Sequence, residues 1–212
     1  MNRAFALEIA RLSGEHVVLV AVSVALAALI AIPLGIACTR REAIGRPALR
    51  IVDAIQTIPS LALFGFLIPL PFVGGIGAKT AIVALVLYAL LPILRTTVTG
   101  IRGVDSVVRE VGVAMGMTPR QLLVEVELPL AAPSILVGIR IATVTGIGLA
   151  TIAALIGGGG LGTLIFRGVA MVDARLLLAG SLPAALLALI ADFGISRVER
   201  RLSAPPSRDT RV

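Results

Sequence analysis

The chain of 212 residues has no tryptophan, one tyrosine, one histidine and one cysteine. A single cysteine, Cys38, forms no internal disulfide. With His16 as the only histidine, metal clusters and a Ser/His/Asp arrangement are all but excluded, and the acidic residues do not gather in any apolar run. No catalytic residue and no metal ligand is expected. Charge is also scarce, at 15% of residues, and whole blocks such as VVLVAVSVALAALIAIPLGIAC, residues 17–38, carry none. A soluble helical domain needs polar groups on the outer face of each helix, and these blocks have none to offer.

What is present is apolar: 58% hydrophobic residues and a mean hydropathy of +1.04. A run of about 18 or more apolar residues spans a bilayer as a helix. The pattern predicts an all-α integral membrane protein with about five transmembrane helices, near 17–38, 51–72, 78–95, 133–156 and 175–196. The domain reading is an external N-terminal segment over 1–16, a transmembrane domain over 17–196 and a tail over 197–212. The second span holds Asp53, Gln56 and Pro59 near its start and IPLPFVGGIG near its end, so Pro69 and Pro71 are expected to break it and the glycines to turn the chain.

Orientation follows from the arginines. Thirteen lie in the first and third connections and the tail, from Arg40 and Arg41 to Arg208 and Arg211, against five basic residues on the other side. The positive-inside rule puts the N-terminus outside and the C-terminus in the cytoplasm. The same arginines account for the net charge of +7 through topology and attraction to anionic lipid, without nucleic acid. The tail reads as a frayed, solvated end.

Several local features have ordinary readings. The first apolar run is span-length and its basic cluster follows it, so it stays as an anchor and is not a cleaved signal. GIAC, ending at Cys38, abuts arginines and reads as core rather than lipid attachment. GGGGLG at 157–162 matches G-x-G-x-x-G, but that fingerprint has meaning only between a strand and a helix. GGIGAKT at 74–80 has Ala78 where a phosphate loop needs glycine before the lysine. Both read as turns. Arg140 lies about two turns into the fourth span, where snorkelling or a structural ion pair is expected, with Asp53 and Asp192 available as partners for arginines.

The segment REVGVAMGMTPRQLLVEVELPLAAPS, residues 109–134, is patterned and partly charged between two apolar runs. From Asp105 to Gly116, Val107, Val108, Val111, Ala114 and Met115 recur with helical spacing. Gly116 can end that helix, and Thr118-Pro119-Arg120-Gln121 reads as a capping box with proline at the first helical position. A second helix is expected to run to Leu128, ended by Pro129. The whole is a helix–turn–helix over about 105–129.

Glu110, Gly116 and Pro129, with Leu128 before the proline and Val126 two residues earlier, fall at the spacing of the EAA loop of binding-protein-dependent ABC importer permeases, which this segment resembles. Val111 and Gly112 replace two alanines of that pattern, and Val126 an isoleucine. The resemblance implies a MetI-like permease fold, and a coupling loop, carried by Glu110, Gly112, Ala114, Gly116, Arg120, Val126, Leu128 and Pro129, that docks on an ATPase subunit. IQTIPSLALFGFLIPL (55–70), LYALLPILRTT (87–97) and AALIGGGGLGTLI (153–165) resemble the subgroup importing glycine betaine, carnitine and choline. Permeases for methionine, phosphonates or other small solutes share the loop and are the alternative.

The resemblance implies partners: a cytoplasmic ABC ATPase dimer that uses ATP-Mg, an external solute-binding protein, the lipid bilayer and a second permease subunit, identical or paralogous. Five helices hardly enclose a gated path alone. The chain itself is expected to bind no cofactor. Gln56, Pro59, Thr143, Gly157 and Gly160 are candidate path or gate residues. An aromatic cage for a quaternary ammonium has no tryptophan to draw on, so affinity is expected in the binding protein and weak passage here. Motion of the loop is expected to reach the third and fourth spans through Pro129 and Pro133, with Glu110 paired to an ATPase cation or to Arg120. An ion-coupled carrier would need a carboxylate near the midplane, whereas Asp53, Asp173 and Asp192 lie near span ends or in loops. A non-transporting scaffold would leave the EAA spacing unexplained.

Overall fold

The computed structural model describes residues 3–71 and 73–203, and helices dominate them. In chain order they are α1 (Arg3–Arg40), α2 (Glu42–Thr57), α3 (Ser60–Leu67), α4 (Ala78–Arg102), α5 (Ser106–Ala114), α6 (Pro119–Gln121), α7 (Leu128–Ala153), α8 (Gly162–Met171) and α9 (Ala174–Ser203). A π-helical stretch, Leu122–Glu127, joins α6 to α7, and one 3₁₀ turn, Ala154–Ile156, follows α7. Four continuous helical runs are long and apolar enough to cross a membrane: Arg3–Arg40, Ala78–Arg102, Pro119–Ile156 and Ala174–Leu202. The fifth is the α2–α3 pair, bent by 101°.

That bend corrects the sequence expectation. The chain breaks at Ile58-Pro59, both extended, because a proline disfavours helical backbone in the residue before it. Helix α3 has already ended at Leu67, so Pro69 and Pro71 lie beyond it. The break leaves carbonyls without helical partners, and α4 supplies one: the Tyr88 hydroxyl donates to the Ile58 carbonyl. Gln56 Nε2 in turn donates to the Tyr88 carbonyl at 3.0 Å. The glycines turn the chain as expected, with φ of 110° at Gly75 and 131° at Gly77.

The core lies between α1, α4 and α7. Lipid tails are as apolar as leucine, so close van der Waals approach, favoured by small residues, holds such helices together. Ala27 and Ala31 of α1, Ala89 of α4, and Ala142 and Ala150 of α7 are all buried in one cluster. A Cβ at Gly100 would stand 2.7 Å from Ser134 Cβ, so α4 and α7 touch nearly backbone to backbone there.

The boundaries differ from the sequence reading at both termini. Helix α1 starts at Arg3 and runs unbroken past residue 16, with Leu12 and His16 buried, so 3–16 is the first part of that helix. Helix α9 continues to Ser203, so 197–203 are helical and not frayed; 204–212, with Arg208 and Arg211, lie outside the described residues. Helix α8, absent from the sequence reading, is a short apolar helix behind the glycine loop.

The two ends of the bundle differ. At one, the 157–160 loop packs on α1: Gly160 N–H donates to Glu15 Oε2 at 3.3 Å, His16 Nε2 lies 3.0 Å from the Ile147 carbonyl, and Gly77 N–H donates to the Ile156 carbonyl at 2.7 Å. The other end gathers Arg40, Arg102, Arg109 and Arg120 around α5 and α6.

Candidate functional site

Helix α5 and the turn after it form as the sequence predicts. The Asp105 carboxylate accepts from Val107 N–H at 2.9 Å and caps α5. Thr118 caps α6 in a full capping box: Gln121 N–H donates to Thr118 Oγ1 at 3.3 Å, and Thr118 N–H donates to Gln121 Oε1 at 2.9 Å. Between them Gly116 has φ of 84°. Nothing lies within 4 Å of where its Cβ would stand, so the turn needs glycine for its left-handed backbone, not for want of space. Gly112 is the crowded one: its Cβ would come 2.7 Å from Leu122 Cδ1, and this close approach sets α5 against the π-helical stretch.

Pro129 does not end the second helix. The chain runs continuously from Pro119 to Ile156, with Pro129 in the first turn of α7. Proline lacks an N–H and crowds the carbonyl four residues back. The wider turn over Leu122–Glu127 relieves both problems, since i→i+5 bonding bypasses that carbonyl. The joint expected at Pro129 is therefore a change of helical pitch inside one rigid rod.

That pitch change buries a residue the sequence reading missed. Glu127 is 1% exposed, and two arginines clamp it: Arg40, from the end of α1, and Arg109 of α5, whose Nε lies 3.1 Å from Glu127 Oε1. Arg109 also donates to the Ile101 carbonyl near the end of α4. One carboxylate thus fastens α5 to α1, α4 and α7. The spacing held a signal: buried positions Leu122, Glu127, Ala131 and Ile135 step by five and then by four, which a π turn followed by an α-helix produces.

The outer face of this element is bare. Val107, Val111, Val113 and Met115 are all more than half exposed. Glu110 and Arg120 are exposed too, and no ion pair joins them among the described residues. Ala114 and Pro129 share this exposure, whereas Val126 and Leu128 are half-buried, Leu128 against the cluster of Ile101, Ala131 and Ile135.

The candidate path residues do not converge on one surface. Gln56 lines an open cavity of about 540 Å³ with Tyr88, Pro92, Arg95, Thr145 and Gly148, between α2, α4 and α7. Pro59 makes the break above it. Arg95 pairs with Asp53 at 2.7 Å. Thr143 lies in a separate apolar groove with His16, Val20 and Leu187. Gly157 and Gly160 have φ of 73° and pack in the end loop, Gly157 toward Ile76 and Gly160 against His16. Arg140 bonds Asp192 at 3.1 Å and lies 3.3 Å from Glu199, the structural pairing expected for it. Cys38 is buried in the core. Among the described residues no group of histidine, cysteine and carboxylates could hold a metal.

The chain is 46% identical over 189 residues to the choline transport system permease protein OpuBB of Bacillus subtilis, covering 89% of this chain and 86% of that one. It is 44% identical over 193 residues to the osmoprotectant import permease protein OsmW of Salmonella typhimurium, covering 90% of each. Among solved structures, the MetNI methionine ABC transporter in inward-facing conformations superposes with a TM-score of 0.87 at 24% identity, covering 96% of this chain and 100% of that one; the likeness is one of fold. The family of binding-protein-dependent transport system inner membrane components matches residues 31–204, and the chain belongs to it: a multi-pass membrane permease subunit, not an enzyme.

Proposed function

We propose that this chain is the permease subunit of an ATP-driven importer for quaternary ammonium osmoprotectants such as glycine betaine, choline or carnitine. The observation that carries the importer reading is the helix–turn–helix of α5 and α6, bare on its outer face and fastened inward by Glu127. A surface built that way transmits force applied from outside. Glu110, Ala114, Gly116, Arg120 and Pro129 lie on it, with Gly112, Val126 and Leu128 packed beneath, and Glu110 is free to meet a basic group of an ATPase. The ATPase dimer binds ATP-Mg; this chain binds no cofactor. A solute-binding protein delivers substrate at the end where the glycine loop lies, and the arginine-rich end faces the cytoplasm.

The solute class rests on relatives whose names carry choline, glycine betaine or carnitine, at 42–46% identity over about nine-tenths of the chain. Segments 55–70 and 87–97, read from sequence as typical of that subgroup, supply Gln56, Tyr88, Pro92 and Arg95 to the one cavity. Gln56, Arg95 and Thr145 in an otherwise apolar cavity between membrane helices are a poor match for lipid. A second permease subunit facing it would complete a path past Gln56, beside the Pro59 break; Thr143, Gly157 and Gly160 lie away from this cavity.

Uptake of radiolabelled glycine betaine, choline and carnitine into vesicles holding this permease with its ATPase and binding protein tests the reading. ATP-dependent uptake of at least one is expected. ATPase activity stimulated by loaded binding protein without uptake of any of the three would remove the solute class and keep the importer.

A further inference from the structure

The cavity at Gln56 has a charged edge that the coupling element does not use. Arg95, two turns below Tyr88 on α4, lines the cavity, and Asp53 of α2 pairs with it at 2.7 Å. Both side chains are open, at 59% and 40% exposure. An ion pair this open, beside a cavity between membrane helices, cannot lie against hydrocarbon. The cavity is within the range of small-molecule sites, roughly 300–1,000 Å³, and its other polar side chains, Gln56, Tyr88 and Thr145, carry no charge.

We infer that the Arg95–Asp53 pair is a transient binding site for small zwitterions, with the solute carboxylate on the Arg95 guanidinium and its quaternary ammonium beside the Asp53 carboxylate. The inference rests on the osmoprotectant reading above. Arg95 is on the cavity wall and Asp53, its ion-pair partner at the rim, offsets its charge, so the site carries no net charge. A zwitterion can align its own two charges against those of the pair and exchange partners without leaving any charge bare. A quaternary ammonium has no N–H to donate, so it meets Asp53 through charge alone and needs no directed hydrogen bond. A plain cation such as choline gains the Asp53 half only and meets repulsion from Arg95. Exposed ion pairs are individually weak, and weak holding suits a passage that the solute must leave. The site thereby sorts zwitterions from cations after the binding protein has released them.

The test is uptake of choline and glycine betaine by the complete transporter in proteoliposomes, with one binding protein that accepts both. The choline-to-betaine ratio is measured for the wild type, Arg95→Gln, Asp53→Asn and Arg95→Lys. The ratio is internal to each preparation, so poor assembly lowers both uptakes without moving it. Arg95→Gln is expected to raise the ratio at least about threefold, Asp53→Asn to lower it by a similar factor, and Arg95→Lys to stay near the wild type. In a wild type that carries both solutes, a ratio unmoved by the variants, or moved the same way by both neutralisations, overturns the zwitterion site and leaves the osmoprotectant reading standing. A wild type that carries neither solute, with its ATPase still stimulated, overturns both.

Discussion

At the residue scale, Gly116 and Glu127 do different work within the same two dozen residues. Gly116 was legible because its type and spacing announce a turn, and φ of 84° accounts for it. Crowding plays no part, since its Cβ would meet open space. Gly116→Ala should therefore cost only about 1 kcal/mol of backbone strain and lower transport partially, whereas Gly116→Asp, with a charge on the docking turn, should leave membrane insertion intact and abolish uptake; membrane fractionation beside uptake checks both. Glu127 was not legible, because a lone acid at the variable position of a motif looks like solvent-facing spacer until helical pitch turns it inward. Glu127→Gln keeps the volume but leaves Arg40 and Arg109 without their counter-charge. With those arginines 42% and 31% exposed, water recovers part of the loss. A destabilisation of about 2 kcal/mol, below the full cost of breaking a buried pair, is expected as a lower melting temperature of the purified complex, together with more ATP hydrolysed per solute moved.

At the scale of elements, proline decided where sequence reasoning failed. Pro59 lay near the start of the expected second span, with the break assigned to Pro69 and Pro71, and is itself the break, because the extended Ile58 before it forces the 101° bend. Pro129 looked like a terminator and lies inside a continuous rod, because the π-helical stretch absorbs it. Hydropathy cannot tell these cases apart, since it weighs composition and is blind to hydrogen-bond pitch. The long runs were legible because α1, α4, α7 and α9 need only be apolar, whereas ten-residue α8 is too short for that test. If the wide turn exists to accommodate Pro129, then Pro129→Ala allows it to tighten into an α-helix, turning α6 by about 100° relative to α7. Such a variant should keep its helix content by circular dichroism and lose coupling between ATP hydrolysis and transport. Undiminished coupling would show that the pitch change is not needed to aim the docking surface.

At the scale of the whole molecule, the two ends of the bundle differ: the bare face of α5 and α6 lies at one, a glycine loop packed on α1 at the other, and an open cavity edged by an ion pair lies between α2, α4 and α7. The uneven spread of arginine between the ends was legible in the sequence, and the positive-inside rule turns it into an expected orientation; the cavity was not legible, because it needs α2, α4 and α7 brought together. In a Cys38→Ser background, cysteine at Met115 should react with impermeant thiol reagents only from the cytoplasmic side and cysteine at Ile76 only from outside, both native side chains being at least 75% exposed. The reverse pattern would invert the orientation. The central claim is that α5 and α6 transmit ATP-driven motion to a permease for quaternary ammonium solutes. Its most direct measurement is glycine betaine uptake and ATP hydrolysis, recorded together in proteoliposomes of the full complex, for the wild type and Gly116→Asp. The account predicts uptake locked to hydrolysis in the wild type and lost in the variant while the subunits remain in the membrane. Undiminished, ATP-driven uptake by Gly116→Asp would contradict it.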